Sequence, residues 1–335
     1  MRFGVGDFSG QRPPGSAVDH RQLYAELLEQ AELIEQAGLD SMWVSEHHFA
    51  EDGYMPAVLP IVAALLARTQ RITVATDRLA ASLHDPVRLA EDAATLDLLS
   101  GGRFVLGLSL CYRDEEFRGL GVDRATDVER LESTARTVRD AWAGKLVRGQ
   151  PVTPPPATAR GPRLMIAADG DSGARRAAEL ADMLMVDPTE PWDVVERAVA
   201  DFDAARGDSD GDLVLFTYGG LSPDGRDAAW AEIAEGFRYM RHNYDRWMGK
   251  PETEVLPPAH YRMLLGTVTE VTEQAAEYRR RFGDRVHLVL RCNYPGMDAA
   301  AVARQIEMWG RVASESLQRP LPTLPASGEE SPQAN

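Results

Sequence analysis

The chain has 335 residues, 44% of them hydrophobic, and a formal charge of −16. That acidic balance argues against a nucleic-acid partner, whose binders present a basic face, and no run of about eighteen apolar residues offers a membrane span. Two cysteines, Cys111 and Cys292, are too few for a disulfide framework, and the N-terminal "MRFGVGDF" lacks the basic-then-apolar order of a signal peptide, so a cytoplasmic protein is expected.

Eight short apolar or β-branched runs stand out, at residues 2–7, 41–45, 71–76, 103–109, 163–168, 183–186, 213–218 and 286–290. The segments between them read as helices. Residues 19–38 place Leu23, Leu27, Ala31 and Ile34 on one face, with Asp19 and Gln22 as a capping box and Gly38 at the end. Asp85 and Pro86 open a helix with Leu89, Ala93, Leu96 and Leu99 on its apolar face, and Gly101 and Gly102 close it. Thr126 with Glu129, and Thr267 with Glu270, mark two more helix starts.

Alternating strands and helices imply parallel pairing through right-handed crossovers. Eight such units in this length predict an α/β protein, a (β/α)8 TIM barrel. The competing doubly wound sheet needs a glycine-rich turn between an early strand and a helix. "GVGDFSG" lies too close to the terminus for that, with no helix directly behind it. Two stretches interrupt the alternation. The Pro-rich 147–162 reads as a surface crossing. Residues 243–266, with Pro251, Pro257 and Pro258, are long for a connection and read as a lid that orders over the site when ligand binds. Residues 319–335 have almost no apolar content and read as a disordered tail, which leaves 1–318 as the barrel domain.

Active groups of such barrels lie at the C-terminal ends of strands. The second strand runs directly into Glu46, His47 and His48. Neighbouring side chains in extended chain face opposite ways, so two adjacent histidines do not suit one metal, and one of them should face the barrel mouth. "DGDSG", residues 169–173, follows the fifth strand and precedes a helix. Gly170 and Gly173 permit close backbone approach, Ser172 can cap the helix, and its free N–H groups favour an anion. Asp169 and Asp171 must then turn their carboxylates away. Cys111 and Tyr112, beyond the fourth strand, are pocket-lining candidates, and Phe117 reads as packing. His84 reads either as pocket-lining or as structural. Trp192, Tyr239, Trp247 and Tyr261 are candidates for a substrate wall, against the alternative that aromatic residues at helical spacing fill the core.

Four blocks, in this order, resemble the bacterial-luciferase-like flavin-dependent monooxygenase family: "AGLDSMWVSEHHF", "HDPVRLAEDAATLDLLSGGRFVLGLSLCYRDEEFRGLGV", "AADGDSGARRAAELAD" and "LVLRCNYPGMD". The resemblance covers most of the chain. It implies a TIM barrel that takes reduced FMN as a diffusible cosubstrate from a separate flavin reductase and uses O2 to place one oxygen atom on a small organic substrate. A deazaflavin-dependent oxidoreductase is the alternative, as is a non-catalytic flavin-binding protein; the EHHF form is more like the FMN-using branch.

The resemblance also implies site residues. His47 corresponds to the catalytic histidine, a proton donor or acceptor suited to neutral pH, with Glu46 beside it. Thr76, Asp77, Arg78, Ser109 and Tyr112 fall around the flavin, with a cis peptide between Asp77 and Arg78. Asp169, Gly170, Asp171, Ser172 and Gly173 fall around its phosphate. The flavin-binding luciferase subunit has an arginine where this chain has Leu110, so one phosphate contact is missing, with Arg78 or Arg113 as replacements. A homodimer through the helices after the second and third strands is implied too.

Overall fold

Eight parallel strands close on themselves, each short, apolar and followed by a helix that returns the chain to the same end. The computed structural model describes residues 1–158, 160–168, 170–187, 190–207, 211–250 and 261–318. In chain order its elements are β1 (Arg2–Phe8), α1 (His20–Gln36), β2 (Ser41–Val44), α2 (Val58–Arg68), β3 (Thr73–Thr76), β4 (Leu79–Ala80), α3 (Pro86–Ser100), β5 (Phe104–Ser109), α4 (Asp114–Leu120), α5 (Asp127–Trp142), β6 (Arg163–Ala167), α6 (Asp171–Leu180), β7 (Met183–Val186), α7 (Trp192–Arg206), β8 (Asp212–Leu221), α8 (Arg226–Trp247), β9 (Leu264–Gly266), α9 (Val268–Phe282), β10 (Val286–Arg291) and α10 (Ala299–Gln318). The barrel order is β1, β2, β3, β5, β6, β7, β8, β10, and β10 pairs with both β8 and β1 to close it.

All eight expected strands are therefore barrel strands, and the (β/α)8 reading holds. Two short strands were not expected. β4 continues β3 along β5, pairing Leu79 with Leu108. β9 runs beside the end of β8, Gly219 to Leu221, and Gly219 allows this because a Cβ there would come within 2.3 Å of the Leu264 carbonyl oxygen. The β8 glycines extend the strand rather than end it.

Alternation along the strands sorts the core into two layers. Met42, Val44, Val74, Leu106 and Leu288 pack under the helices, while Trp43, Ala75, Val105, Met165, Val214, Phe216 and Val289 form the second cluster, inside the barrel. The indole of Trp43 fills this interior because Gly6 faces it: a Cβ on Gly6 would meet Trp43 Cβ at 2.7 Å and Val289 at 3.2 Å. Toward the N-terminal end of the barrel, Trp43 Nε1 donates to Ser41 Oγ at 2.7 Å, and Ser41 Oγ lies 2.7 Å from His287 Nε2. Burial pushes the His287 imidazole down to about 3, which favours the neutral ring, and its Nε2 and the Ser41 hydroxyl share one hydrogen.

The helix signals hold unevenly. Thr267 and Glu270 form the full capping box, and Asp85 with Pro86 starts α3, which Gly101 closes in the left-handed region. Asp19 caps the Gln22 amide, but the Gln22 side chain turns instead to Glu26. Thr126 makes no side-chain cap; Asp123 caps a preceding 3₁₀ turn in its place. Leu99 is exposed, because the buried stripe of α3 runs through Leu96, Asp97 and Ser100. The stretch 147–162 does cross the surface, held where the Asp97 carboxylate accepts the Ala157 N–H at 2.8 Å. Residues 243–266 are not one loop: α8 continues to Trp247 and β9 begins at Leu264. Pro251, Pro257, Pro258 and the tail 319–335 lie outside the described residues.

The barrel interior leaves no room at Gly6. Gly6→Ala should lower stability by about 1–3 kcal/mol, the usual cost of overpacking, and the melting temperature by several degrees. An unchanged melt would mean that Trp43 does not fill the space opposite it.

Candidate active site

A cavity of about 260 Å³ opens at the C-terminal ends of the strands, lined by residues that follow β2, β3, β5, β7 and β10 and by the end of α8. Its walls are largely aromatic and charged. Tyr54, Tyr112, Phe216, Tyr218 and Tyr244 line it together with Glu46, His47, Asp77, Arg78, Ser109, Leu110, Arg241 and Arg291.

The EHH turn after β2 divides its work between two buried carboxylates. Glu46 is 4% exposed. Its Oε2 accepts the Ala80 N–H at 2.9 Å, its Oε1 lies 2.9 Å from His84 Nε2, and His48 Nε2 approaches at 3.4 Å. Burial alone would raise this carboxyl, but the His48 and His84 imidazoles outweigh it and bring it to about 2. The Glu46 bond in turn raises His48. Glu46 therefore anchors β4 and two histidines to the rim of β2, and His84 is tied to that anchor rather than to the cavity.

Glu116, from α4, holds the other half. Its Oε1 accepts His47 Nδ1 at 2.8 Å, the His48 N–H at 2.9 Å and Arg113 Nη1 at 3.2 Å, and its Oε2 accepts the Cys111 thiol at 3.1 Å. Burial opposes ionisation here as well, yet His47 and these other donors hold the carboxyl below its ordinary value. An ionised carboxylate only accepts, so His47 carries its proton on Nδ1. Its Nε2 lies 2.9 Å from the Tyr112 hydroxyl. The rings of Tyr54, Tyr112, Tyr244 and Trp247 surround the imidazole at 4.7, 5.2, 6.3 and 5.0 Å. Burial first, then Tyr244 and Glu116, push the Tyr112 phenol well above its usual value, and burial keeps Cys111 a thiol.

A second hydrogen-bonded chain crosses the cavity. Ser45 Oγ meets the Tyr54 hydroxyl, which lies 3.0 Å from the Tyr244 hydroxyl, and Arg291 Nη1 donates to Tyr244 at 3.2 Å. Behind it, the Asp52 carboxylate accepts from Gln11, Tyr239 and Asn243, fastening α8 over the β2 rim.

The expected residues fall into three groups. Glu46, His47, Asp77, Arg78, Ser109 and Tyr112 share the cavity. Thr76 does not line it; its Oγ1 bridges to Gly107 O and N at 3.0 and 2.7 Å, locking β3 to β5. The 170–173 turn stands at the end of β6, at the same face of the barrel but outside this lining. Gly170 is the N-cap of α6 with a φ of 94°. Ser172 lies inside the first turn and caps nothing, because the helix starts at Asp171, two residues earlier than a Ser172 cap requires. Asp169 lies outside the described residues. The Asp77–Arg78 peptide is trans, the only cis bond among the described residues being Thr153–Pro154; the chain passes from β3 to β4 by a bend after Asp77 N–H bonds the Val44 carbonyl at 2.7 Å.

Of the two replacements for the missing arginine, Arg78 lines the cavity and lies 3.2 Å from Asp187. Arg113 is committed elsewhere, donating to the His48 carbonyl at 2.6 Å and stacking 4.3 Å over Trp247. Among the four aromatic candidates, Trp247 packs on His47, whereas Trp192 packs on Tyr278, Tyr261 on Phe237, and Tyr239 bonds Asp52. Of the walls missed from sequence, Arg291 is the last residue of β10 and Tyr218 closes the apolar run 213–218 inside β8, and a polar residue closing an apolar run is the signal that would have found them. Tyr54 and Tyr244 carry no such mark.

The pH dependence of this rim follows from its shifts. Glu46, lowered from 4.5 to about 2, contributes stability that is full above pH 4.5 and lost as pH falls toward 2. His48, raised, contributes stability that is full below its ordinary 6.5 and lost as pH rises through its higher folded value. Glu46→Gln should be less stable at pH 6 and show a flatter acid decline between pH 4.5 and 2 in denaturant melts. A variant keeping the wild-type slope there would remove Glu46 from that linkage.

Comparison with known proteins gives a consistent likeness. A family model described as luciferase-like monooxygenase matches residues 1–285. The alkanal monooxygenase beta chain of Photorhabdus luminescens is 36% identical over 101 residues, 30% of this chain and 31% of that one. The alpha chain of the Kryptophanaron alfredi symbiont is 30% identical over 149 residues, 44% of this chain and 39% of that one. The aligned parts thus span about a third of these relatives' length. Among solved structures, the monooxygenase RslO1 from Streptomyces bottropensis superposes with a TM-score of 0.82 at 23% identity, covering 95% of this chain and all of that one. The oxygenating constituent of 3,6-diketocamphane monooxygenase from Pseudomonas putida, in complex with FMN, gives 0.77 at 16% identity over 96% and 99%. An F420-dependent secondary alcohol dehydrogenase gives 0.70 at 17% over 94% and 99%. At these identities the structural likeness is one of fold.

Proposed function

The chain belongs to the luciferase-like monooxygenases, and from that premise we propose that it is a reduced-FMN-dependent monooxygenase that adds one oxygen atom of O2 to a small organic substrate. The observation that carries this reading is His47, held between the Glu116 carboxylate and the Tyr112 hydroxyl at the barrel mouth. F420-dependent enzymes share the fold, so deazaflavin is the competing cofactor; the EHHF form at residues 46–49 favours FMN.

The residues present fit a flavin. Aromatic walls suit a flat ring system. Arg78 and Arg241 supply positive charge, and Arg241 Nε is buried with no hydrogen-bond partner among the described residues. The first turn of α6 has no side-chain cap, and a Cβ on Gly170 would meet nothing within 4 Å, which leaves its N–H groups open to a phosphate. Reduced FMN, when bound, supplies the electrons that activate O2. Tyr54, Tyr112, Tyr218 and Tyr244 would hold and orient the reactants, the packed interior below them excludes water, and His47, its Nδ1–H fixed on Glu116, would take up and release a proton at Nε2. The proposal includes a separate flavin reductase as the source of reduced FMN.

Anaerobic titration with reduced FMN should give saturable binding, and admitting O2 should give uptake of oxygen coupled to product formation. His47→Gln should slow that turnover roughly 10²–10⁴-fold while binding and folding persist. Retention of the deazaflavin coenzyme with hydride transfer and no oxygen uptake would overturn the proposal.

We also propose a homodimer through α2 and α3. Leu98 and Leu99 stand exposed on α3 and suit a covered surface. Sedimentation at low micromolar concentration should give twice the chain mass, and Leu99→Glu should shift it to the monomer. A wild-type monomer mass would end this proposal.

A further inference from the structure

We propose that Tyr112 is the residue that hands the proton to the reacting oxygen, with Glu116 and His47 acting behind it as a relay. This inference rests on the oxygenation reading above and assigns a step within it.

Both ring nitrogens of His47 are committed. Nδ1 donates to Glu116 at 2.8 Å and Nε2 meets the Tyr112 hydroxyl at 2.9 Å. The His47 side chain is 11% exposed, and four aromatic rings enclose it. A reactant that took Nε2 directly would first have to break the Tyr112 bond. Tyr112 lines the same cavity, and its hydroxyl has one hydrogen to give and lone pairs to receive another.

The protonation state of His47 sets which way that hydrogen faces. With the imidazole neutral, Nδ1 bears the proton and Nε2 accepts the phenol hydrogen, so Tyr112 is turned toward His47. When Nε2 is protonated, Nε2–H donates to Tyr112 Oη, and the phenol hydrogen is released to the cavity. An oxygen anion developing there during oxygen transfer takes that hydrogen: the Oη–H bond breaks, a new O–H bond forms on the acceptor, and the Nε2 proton moves to Oη. Tyr112 ends as a neutral phenol and His47 as a neutral imidazole, one proton having left the protein, to be restored from solvent. Burial disfavours a free phenolate at Tyr112, which requires the two transfers to be coupled. Glu116, fixed by Arg113, the His48 amide and Cys111, remains a carboxylate and stabilises the charged imidazole throughout. Tyr54 and Tyr244 are no substitutes, because their hydroxyls join a different chain, running from Ser45 to Arg291.

Nitrogen-15 NMR of the ligand-free protein reads the pair directly. His47 should show the Nδ1–H tautomer with a hydrogen-bonded Nε2, and in Tyr112→Phe the Nε2 resonance should move toward the unbonded position while the tautomer persists. In turnover, Tyr112→Phe should lower kcat roughly 10²-fold or more, a loss larger than any change in its affinity for reduced FMN. The double variant with His47→Gln should lose no more than the worse single one, as expected of groups acting as a unit. An unmoved Nε2 resonance, a wild-type kcat in Tyr112→Phe, or losses that multiply would each overturn the relay while leaving oxygenation intact. Failure of the wild-type protein to take up oxygen with reduced FMN would overturn the oxygenation reading, and this role of Tyr112 with it.

Discussion

One buried carboxylate, Glu116, holds the mouth of this barrel in shape. It gathers an imidazole and a backbone amide from the turn after β2, and a thiol and a guanidinium from the turn after β5. Burying a carboxylate without such donors would cost several kcal/mol; with four of them it becomes a fastener between two loops that are about 68 residues apart in sequence. The position of His47, the orientation of its ring and the identity of its proton-bearing nitrogen all descend from that one contact. Glu46 repeats the device on the opposite side of the turn with His48 and His84, so adjacent residues of one strand end serve two separate centres.

This division explains why the three-residue EHH stretch keeps so many polar groups at the end of a buried strand. Extended backbone sends neighbouring side chains to opposite faces. His47 goes toward the tyrosines, while Glu46 spans the gap to β4. Arg113, read from sequence as a cation for a phosphate, is drawn inward by the His48 carbonyl, Glu116 and the face of Trp247. Three favourable partners in a dry place outweigh its tendency to reach solvent.

Much of the architecture was legible because parallel barrel strands are buried on both faces and stand out as short apolar runs. All eight barrel strands could be placed from that signal, whereas β4 and β9, two and three residues long, carry no pattern of their own and exist only because a neighbouring strand offers its edge. Local caps were legible where side chain and backbone agree, as at Thr267, and misread at Thr126, where a 3₁₀ turn intervenes. The strand-end residues of the site could be seen for the same reason the strands could. Tyr54, Tyr244 and the Asp52 hub depend on α8 folding back over β2, a contact between residues nearly two hundred positions apart, and sequence spacing carries no trace of it.

The pairing of Gly6 with Trp43 has a consequence for traffic. With the indole filling the middle of the barrel and the Ser41–His287 contact toward its far end, the described residues close the floor of the cavity and block passage along the barrel axis. Two reactants bound there together would share the strand-end side of the pocket, a limit set by the plug at the bottom rather than by any residue that touches them.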